Sequence, residues 1–206
     1  MCASDDVDAF ARAHARSYAR CTDCDLVFML REYHPDSAAQ RAIYDLHRNE
    51  GDDMRYRAYL DRLAAPLMER LTPGMRGLDY GCGPGPVLAA MLVERGFDMS
   101  VYDPLYADEP GVLQRRYDFV TCSEVAEHFH GPAREFERLA SLLDARGWLA
   151  VMTQLLSADR DFAGWHYPRD PTHVSFYTAR TLEWLAQRHG WALHRPSANV
   201  ALFQRA

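Results

Sequence analysis

The sequence predicts an α/β fold in which a mostly parallel sheet is covered by helices on both faces. From residue 75 onward, short apolar strands alternate with helical segments, which is the pattern of a doubly wound sheet. A glycine-rich turn joins the first of these strands to its helix. The 206 residues suit one such domain with a small N-terminal extension, and the 48% hydrophobic content is sufficient for its core.

The chain before residue 75 divides into two predicted parts. Residues 1–35 are expected to be an irregular extension, with one strand-like run at Leu26–Leu30. Residues 36–74 form a predicted helical cap whose first helix begins after Asp36, a candidate N-cap. Apolar side chains at helical spacing define its second helix, in which Pro66 should bend or divide the helix: Tyr56, Tyr59, Leu60, Leu63, Leu67 and Leu71.

The third predicted part, residues 75–206, holds the sheet. Its strands are expected at Arg76–Tyr80, Met99–Tyr102, Tyr117–Cys122 and Gly147–Thr153. Its helices are expected near residues 86–95, 132–145 and 178–189, with prolines or threonine at their starts and glycine beyond two of their ends. The tail reads as two strands around a turn at residues 195–199.

The strongest functional signal is the segment GLDYGCGPGP. Asp79 ends an apolar strand, and Gly81, Gly83 and Gly85 follow at every second position before a helix begins. Glycines at this spacing let the backbone approach a ligand closely, and a helix start offers free N–H groups. A dinucleotide fingerprint needs its third glycine at the position of Pro86, so the pattern is D-x-G-x-G-x-G instead.

This pattern resembles motif I of the class I S-adenosylmethionine (SAM) dependent methyltransferases. The segment YDFVTCSEVAEHFHGP resembles the fourth-strand region of methyltransferases of the ubiquinone O-methyltransferase type, in which E-V-x-E-H follows the strand. The resemblance covers about residues 54–205 and implies a Rossmann-like class I sandwich with an antiparallel C-terminal strand. One departure is that only Pro104–Arg116 separates the second and fourth strands, so the usual third strand is very short or missing.

The resemblance also implies a set of site residues. Asp79 would organise the glycine loop and the methionine amino end of SAM, and Asp103 would bind the ribose hydroxyls, as carboxylates do in nucleoside sites. The implied cofactor-binding residues are Asp79, Gly81, Cys82, Gly83, Gly85, Asp103, Pro104, Cys122 and Ser123. The candidate catalytic residues, facing the methyl acceptor, are His173, His128 and Glu124.

The segment WHYPRDPTHVSFY concentrates aromatic and titratable side chains and resembles the acceptor-side loop of the same enzymes. His173 is the favoured general base, since histidine titrates near neutrality and Asp170 could orient it. His128 is the alternative base, and Glu127 reads equally well as a helix-start acid. An aromatic loop that packs on the domain, with His166 beside Trp165, is an equal alternative for Trp165, Tyr167, Phe176 and Tyr177.

The cysteine pair Cys21-x-x-Cys24 looks like half of a zinc knuckle. Structural zinc needs four converging ligands, and the chain offers Cys2 with His14 or His34 to complete the set. The favoured interpretation is a reduced, vestigial knuckle, so no metal is expected and zinc is the alternative. His47 is the other histidine that stands out.

Composition excludes several function classes. All 23 basic residues are arginine, so a Schiff-base lysine, a P-loop lysine and a kinase lysine are excluded. The net charge of −6 argues against nucleic acid and anionic membranes as partners, and the N-terminus lacks the apolar region of a signal peptide, so we expect a cytoplasmic protein. The predicted function is methyl transfer to an oxygen, nitrogen or carbon of a small molecule. The alternatives are an inactive SAM-binding scaffold and, less favoured, an NAD(P)-dependent oxidoreductase.

Overall fold

The structure, a computed structural model, describes residues 6–46 and 53–206. Its strands are β1 (Val7–Ala13), β2 (Arg16–Cys21), β3 (Val27–Met29), β4 (Arg76–Tyr80), β5 (Asp98–Tyr102), β6 (Tyr117–Ser123), β7 (Leu143–Met152), β8 (Ser175–Phe176), β9 (Ala192–Ser197) and β10 (Val200–Gln204). Its helices are α1 (Ser37–Tyr44), α2 (Met54–Met68), α3 (Val87–Glu94), α4 (Pro132–Leu142) and α5 (Ala179–His189). Cys2 and His47 lie outside the described residues.

The main sheet has six strands in the order β5-β4-β6-β7-β10-β9. Strands β5, β4, β6 and β7 are parallel, and β10 runs antiparallel to both β7 and β9, which confirms the predicted sheet. The chain leaves β4 towards β5 and returns to the other side of β4 at β6. Ligands in such sheets bind at this reversal, outside the carboxyl ends of the strands. No strand occurs between β5 and β6, as the short connection predicted.

The two faces of the sheet are covered by different helices because side chains alternate along each strand. In β7, Leu149 and Val151 pack on the side of α4 and α5, whereas Ala150 and Met152 pack on the side of α2 and α3. The near-continuous apolar sequence of β7 is therefore that of a strand buried on both faces. The helix α2 runs without division through Pro66 and ends two residues later.

The prediction that residues 1–35 are irregular was wrong. Strands β1, β2 and β3 form a second sheet with β8, in the order β1-β2-β3-β8. The β1–β2 hairpin turns at His14 and Ala15, which both have positive φ, at 50° and 60°. Hairpin turns of this kind ordinarily carry glycine, asparagine or aspartate, so the usual sequence signal is missing.

Several element boundaries also differ from prediction. Most shifts are of one residue, but β9 extends through Ser197, so the turn predicted at residues 195–199 is confined to residues 198–199. Helix α4 ends at Leu142, not near residue 145, and β7 begins at Leu143, ahead of the predicted Gly147. The reason is strand pairing, since Leu143 pairs with Tyr117 of β6 and this extends the strand backwards. None of the helices in the described parts of the chain is long and apolar enough to cross a membrane.

Candidate active site

A cavity of about 830 Å³ lies at the carboxyl ends of β4, β5 and β6. Its walls come from the glycine loop after β4, the turn after β5, the segment after β6, helices α1 and α2, and the loop that precedes β8. Of the predicted site residues, the cavity is lined by Asp79, Gly81, Cys82, Gly83, Gly85, Asp103, Pro104, Ser123, Glu124, His128, Asp170 and His173. Its size is that of a small-molecule site.

In the glycine loop, Gly81 has no room for a side chain, whereas the space beside Gly83 is open. A Cβ at Gly81 would lie 2.4 Å from Val125 Cγ2, and the φ of Gly81 is +81°. The Gly81 and Cys82 N–H groups both donate to the Tyr102 carbonyl, which ties the loop to β5. Gly83 has a φ of +64°, but a Cβ there would meet nothing within 4 Å. The space beside Gly83 is where the backbone can approach a ligand.

Asp103 is buried at the end of β5 and connects two loops. Its Oδ2 accepts a hydrogen bond from the Gly83 N–H at 3.0 Å, and its Oδ1 accepts from the N–H groups of Leu105 (2.8 Å) and Tyr106 (3.2 Å). The carboxylate therefore caps the turn after β5 and also faces the cavity. Each carboxylate oxygen can accept more than one hydrogen bond, so these contacts leave capacity for a ligand hydroxyl.

Asp79 lies beneath the glycine loop and is almost fully buried. The Thr121 hydroxyl donates to Asp79 Oδ1 at 2.7 Å. Burial raises the pKa of Asp79 to about 6, and the hydrogen bond from Thr121 only partly opposes this. The carboxyl is positioned at the inner end of the cavity, as expected for a residue that supports the loop.

The end of β6 carries two side chains whose polar atoms make no hydrogen bond of normal geometry with any described residue. These atoms are Ser123 Oγ and Glu124 Oε1, both shielded from solvent. Glu124 has a φ of 54°, which is strained for a residue other than glycine and is common at functional sites. The Cys122 side chain belongs to the core beneath the sheet and does not line the cavity, so its assignment to the cofactor site stays a prediction about its backbone alone. Strand alternation places Cys122 and Ser123 on opposite faces.

Glu127 is the centre of a buried hydrogen-bond network that sequence reasoning treated as a helix-start acid. Its Oε1 accepts from the Tyr167 hydroxyl at 2.5 Å, and its Oε2 accepts from the Thr153 hydroxyl at 2.9 Å. The side chain is completely buried, and burial raises the pKa of Glu127 well above its usual range. The only sequence signal was the E-V-x-E-H pattern itself, since Tyr167 is forty residues away.

His128 and His173 meet in the cavity, with ring centroids 4.8 Å apart. His128 Nδ1 lies 3.1 Å from the Thr172 carbonyl, and His173 Nδ1 lies 2.8 Å from the Tyr167 carbonyl. A carbonyl can only accept, so each Nδ1 carries the proton and each Nε2 is the basic atom. The predicted orienting acid is more distant, with Asp170 Oδ2 3.9 Å from His173 Nε2.

Glu127, His128 and His173 each place a potential metal-ligand atom within 4.8 Å of the others. Both Glu127 oxygens already accept hydrogen bonds, from Tyr167 and Thr153, so the geometry describes a hydrogen-bonded network as well as a potential ligand set. Among the described residues, the ligands of the alternative zinc interpretation do not converge, and Cys2 lies outside them. His14 occupies the β1–β2 turn, at the opposite end of β2 from Cys21, and His34 contacts the Met29 carbonyl and the ring of His130.

The residues of the segment WHYPRDPTHVSFY lie in two different environments. Trp165 and Phe176 are core residues that pack against the N-terminal sheet, and Tyr177 packs beneath the main sheet. His166, Tyr167, Asp170 and His173 line the cavity instead. Core packing is thus observed for part of this segment, Tyr167 both packs in a core cluster and lines the cavity, and the acceptor-side role stays a prediction.

Three further cavity residues were not predicted as site residues. Tyr44 of α1 and Tyr56 and Tyr59 of α2 line the wall opposite the sheet. The ring of Tyr44 meets that of His128 at 5.2 Å. The i, i+3 spacing of Tyr56 and Tyr59 placed both on one helix face, but nothing in the sequence indicated that this face covers the site.

Comparisons with known proteins agree with this architecture. The profile of the methyltransferase domain family matches residues 50–195. No curated protein matches the chain. Among solved structures, 1,6-didemethyltoxoflavin-N1-methyltransferase from Burkholderia thailandensis, with its substrate and S-adenosylhomocysteine (SAH) bound, has a TM-score of 0.60 at 16% identity, covering 97% of this chain and 99% of that one.

Two other solved structures have the same fold. Magnesium protoporphyrin IX methyltransferase from Synechocystis PCC 6803, with SAH bound, has a TM-score of 0.51 at 14% identity and covers 86% of this chain and 98% of that one. CalO1, a methyltransferase in calicheamicin biosynthesis, has a TM-score of 0.54 at 16% identity and covers 83% of this chain. The chain spans about three fifths of the length of CalO1 (59%). At these identities the likeness establishes the fold.

Proposed function

The chain belongs to the methyltransferase domain family, and from this premise we propose that it transfers the methyl group of SAM to a small molecule at the cavity above β4 and β6. The proposal rests on the observation that one cavity is lined both by the glycine loop and by a group of aromatic and titratable side chains. One wall is the open glycine loop with Asp103, and the other is a set of aromatic and titratable side chains. Cofactor and acceptor would thus occupy the same enclosed space.

The residues present fit SAM. Gly83 leaves open space where a Cβ would meet nothing, and Ser123 Oγ is a shielded polar atom without a hydrogen bond of normal geometry beside the same cavity. Asp103 would hold the ribose, the glycine loop would border the methionine portion, and Asp79 would support the loop. When bound, SAM supplies a methyl group activated by its sulfonium.

The protein's part in the reaction is to orient the acceptor and to take up its proton. Holding two reactants in line removes much of the entropic barrier to a displacement. His173 and His128 line the cavity, and with Nδ1 protonated the Nε2 atom of either could accept a proton from a hydroxyl or an amine. The nucleophile type, whether oxygen, nitrogen or carbon, stays a prediction.

Small-molecule substrates are supported by the similar structures. The Burkholderia thailandensis enzyme is an N1-methyltransferase with 1,6-didemethyltoxoflavin bound, and the Synechocystis enzyme acts on magnesium protoporphyrin IX. A cytoplasmic location, the exclusion of nucleic acid and membranes as partners, and the three-part division at residues 35 and 74 stay predictions. The family match begins at residue 50, inside the predicted cap.

Calorimetry with SAM, SAH and NADH tests the cofactor assignment directly. We expect SAM and SAH to bind with one site per chain and NADH not to bind. A screen with labelled methyl groups against hydroxy, amino and carbon acceptors then identifies the reaction. Binding of NADH without SAM would contradict the proposal, and SAM binding without transfer to any acceptor would favour the inactive scaffold.

A further inference from the structure

The acceptor side of the cavity has an unusual distribution of charge. Glu124 and the buried Glu127 lie on this side, and no ion pair joins either residue to an arginine within the described ranges. The two arginines that line the cavity, Arg134 and Arg138, lie on α4 and both pair with Glu135. The polar side chains that an acceptor would meet are therefore these carboxyl groups and the imidazoles of His128 and His173, with no unpaired arginine among the described lining residues.

Glu124 is the carboxyl of this group whose hydrogen bonds are incomplete. Both Glu127 oxygens accept hydrogen bonds, whereas Glu124 Oε1 is shielded from solvent and makes no hydrogen bond of normal geometry with a described residue. The Tyr59 hydroxyl is the neighbouring donor to the Glu124 carboxyl, and Arg62, the nearest cation, donates to Asn199 instead. A carboxyl oxygen that is shielded from solvent and lacks a donor is costly, so Glu124 Oε1 calls for a ligand donor.

The backbone positions Glu124 for this purpose. Its φ of 54° follows directly after β6, and its N–H donates to the Met152 carbonyl at 2.8 Å, which holds the residue in this conformation. Strain of this kind persists where the surrounding structure imposes it, often beside a ligand. The rings of Tyr44, Tyr56 and Tyr59 line the same side and give it flat walls that suit a planar molecule.

We propose that Glu124 selects the acceptor by pairing with an amino group next to a ring nitrogen, so that the preferred acceptors are planar amino-substituted nitrogen heterocycles and not carboxylates or phosphates. This inference rests on the proposed function, because it assigns the acceptor side of the cavity. An ionised carboxylate pairs with the protonated heterocycle, and a neutral carboxyl pairs with the neutral heterocycle. Recognition therefore holds in either protonation state.

The shielding of the Glu124 carboxyl from water also indicates that it needs a donor from the ligand. Burial and the neighbouring Glu127 raise the pKa of Glu124 well above its usual range, and the Tyr59 hydroxyl and the charge of Arg62 oppose this only in part. A carboxylate or phosphate on the acceptor would place a negative group beside Glu124 and Glu127 and would be repelled by whichever of the two is ionised. Such a ligand is disfavoured by like-charge repulsion in a shielded site.

Three probes that share one bicyclic ring test the proposal: diaminoquinazoline, quinazoline and quinazoline carboxylate. Calorimetry measures their affinities for the full chain, with and without saturating SAH, and SAH binding itself is measured separately. We expect diaminoquinazoline to bind at least tenfold more tightly than quinazoline, as one charge-assisted hydrogen bond provides, and the carboxylate to bind most weakly.

Variants at Glu124 make the test specific. Glu124→Met removes the polar group at similar length and should abolish the preference for diaminoquinazoline, whereas Glu124→Gln keeps an amide that can pair and should retain part of it. Glu137→Gln, which removes an exposed carboxyl on α4 outside the cavity, is the control and should keep the full preference. Melting temperature and SAH affinity verify that each variant is folded.

The outcomes distinguish this inference from the proposed function. Failure of SAH to bind the wild-type chain would refute the proposed function, and the probe series without SAH would still report on Glu124. Equal affinities for the three probes, tightest binding of the carboxylate, or an unchanged preference in Glu124→Met would overturn the inference. Loss of SAH affinity in Glu124→Met and Glu124→Gln alike would assign Glu124 to the cofactor and also overturn it.

Discussion

Asp103 illustrates how one side chain can serve both the fold and the site. Its carboxylate accepts hydrogen bonds from Gly83, Leu105 and Tyr106, so it holds the glycine loop against the turn after β5. From the sequence alone, Asp103→Ala would affect only the ribose contact. The structure adds a cost in stability, because three backbone N–H groups lose their acceptor.

We predict that Asp103→Ala weakens SAM binding about thirtyfold, or roughly 2 kcal/mol, and also lowers the melting temperature by several degrees. Calorimetry and thermal unfolding measure the two effects. Asp108→Ala, on the same connection but outside the cavity lining, is the matched control. Unchanged SAM affinity in Asp103→Ala would remove the residue from the cofactor site.

His173 and His128 line the same cavity and make similar contacts. The structure therefore favours His173 over His128 as the general base less strongly than the sequence did. We predict that His173→Ala lowers turnover by about a hundredfold while SAM affinity stays within a few fold, the usual scale for loss of a positioned base. Steady-state kinetics with an identified acceptor makes the measurement. His128→Ala made in parallel assigns the role. Near-normal turnover in His173→Ala with a large loss in His128→Ala would transfer the base to His128.

The buried Asp79 predicts a pH dependence of stability. Burial raises its pKa from the ordinary 3.8 to about 6, so the folded state retains a proton that the unfolded state releases. The contribution is fully present below pH 3.8 and is lost as the pH rises through about 6, amounting to about 3 kcal/mol over the shift. Asp79→Asn should flatten the slope of unfolding free energy between these pH values, as chemical denaturation at several pH values would show. An unchanged slope would contradict the assignment.

At the scale of elements, the turn between β4 and α3 contains one glycine that the fold requires, Gly81, and one that we assign to ligand binding, Gly83. Both have positive φ, but only Gly81 faces a neighbour, the side chain of Val125. A side chain at Gly83 would project into open space where we place the cofactor.

We therefore predict different outcomes for two alanine substitutions. Gly81→Ala should lower stability by several kcal/mol, because the clash with Val125 adds to the cost of a left-handed alanine, about 1 kcal/mol. Gly83→Ala should lower stability only by that backbone cost but weaken SAH binding at least tenfold. Thermal unfolding and calorimetry compare the pair. Equal stabilities with equal SAH affinities would show that the loop does not discriminate in this way.

At the scale of the molecule, the N-terminal sheet supports the loop that precedes β8. Strand β3 pairs with β8, and the Arg16 guanidinium donates to the carbonyls of Pro168, Arg169 and Asp170 at 3.0–3.3 Å. These carbonyls lie three to five residues before His173 in the chain. The sheet that the sequence described as an irregular extension thus holds a wall of the cavity in place.

We predict that Arg16→Met raises the KM for the acceptor several-fold and lowers the melting temperature by a few degrees, because about 1–2 kcal/mol of hydrogen bonding to the loop is lost. The SAM dissociation constant should not change, since the loop lies opposite the glycine turn. Arg12→Met, an exposed arginine on the adjacent strand β1, controls for loss of charge. An effect on SAM affinity equal to that on acceptor KM would argue against a local role.

The sequence by itself determined the features that depend on residues close together along the chain. The bounds of β4, the helix after Pro86, the capping of α1 by Asp36 and the position of the glycine loop all follow from local apolar spacing and from turn or cap chemistry. The mostly parallel sheet followed from the alternation of strands and helices, because a parallel pair of strands needs a crossover connection between them.

Only the tertiary structure decided what depends on distant contacts. The hairpin of β1 and β2 lacks a turn signal and is held by pairing with β3 and β8, which lies far along the chain. The hydrogen bonds of Glu127 with Tyr167 and Thr153, and the approach of Tyr44 to His128, likewise join segments that local patterns treat separately. Such contacts form because the cavity must satisfy buried polar groups after folding, and a one-dimensional pattern carries no record of which groups will meet.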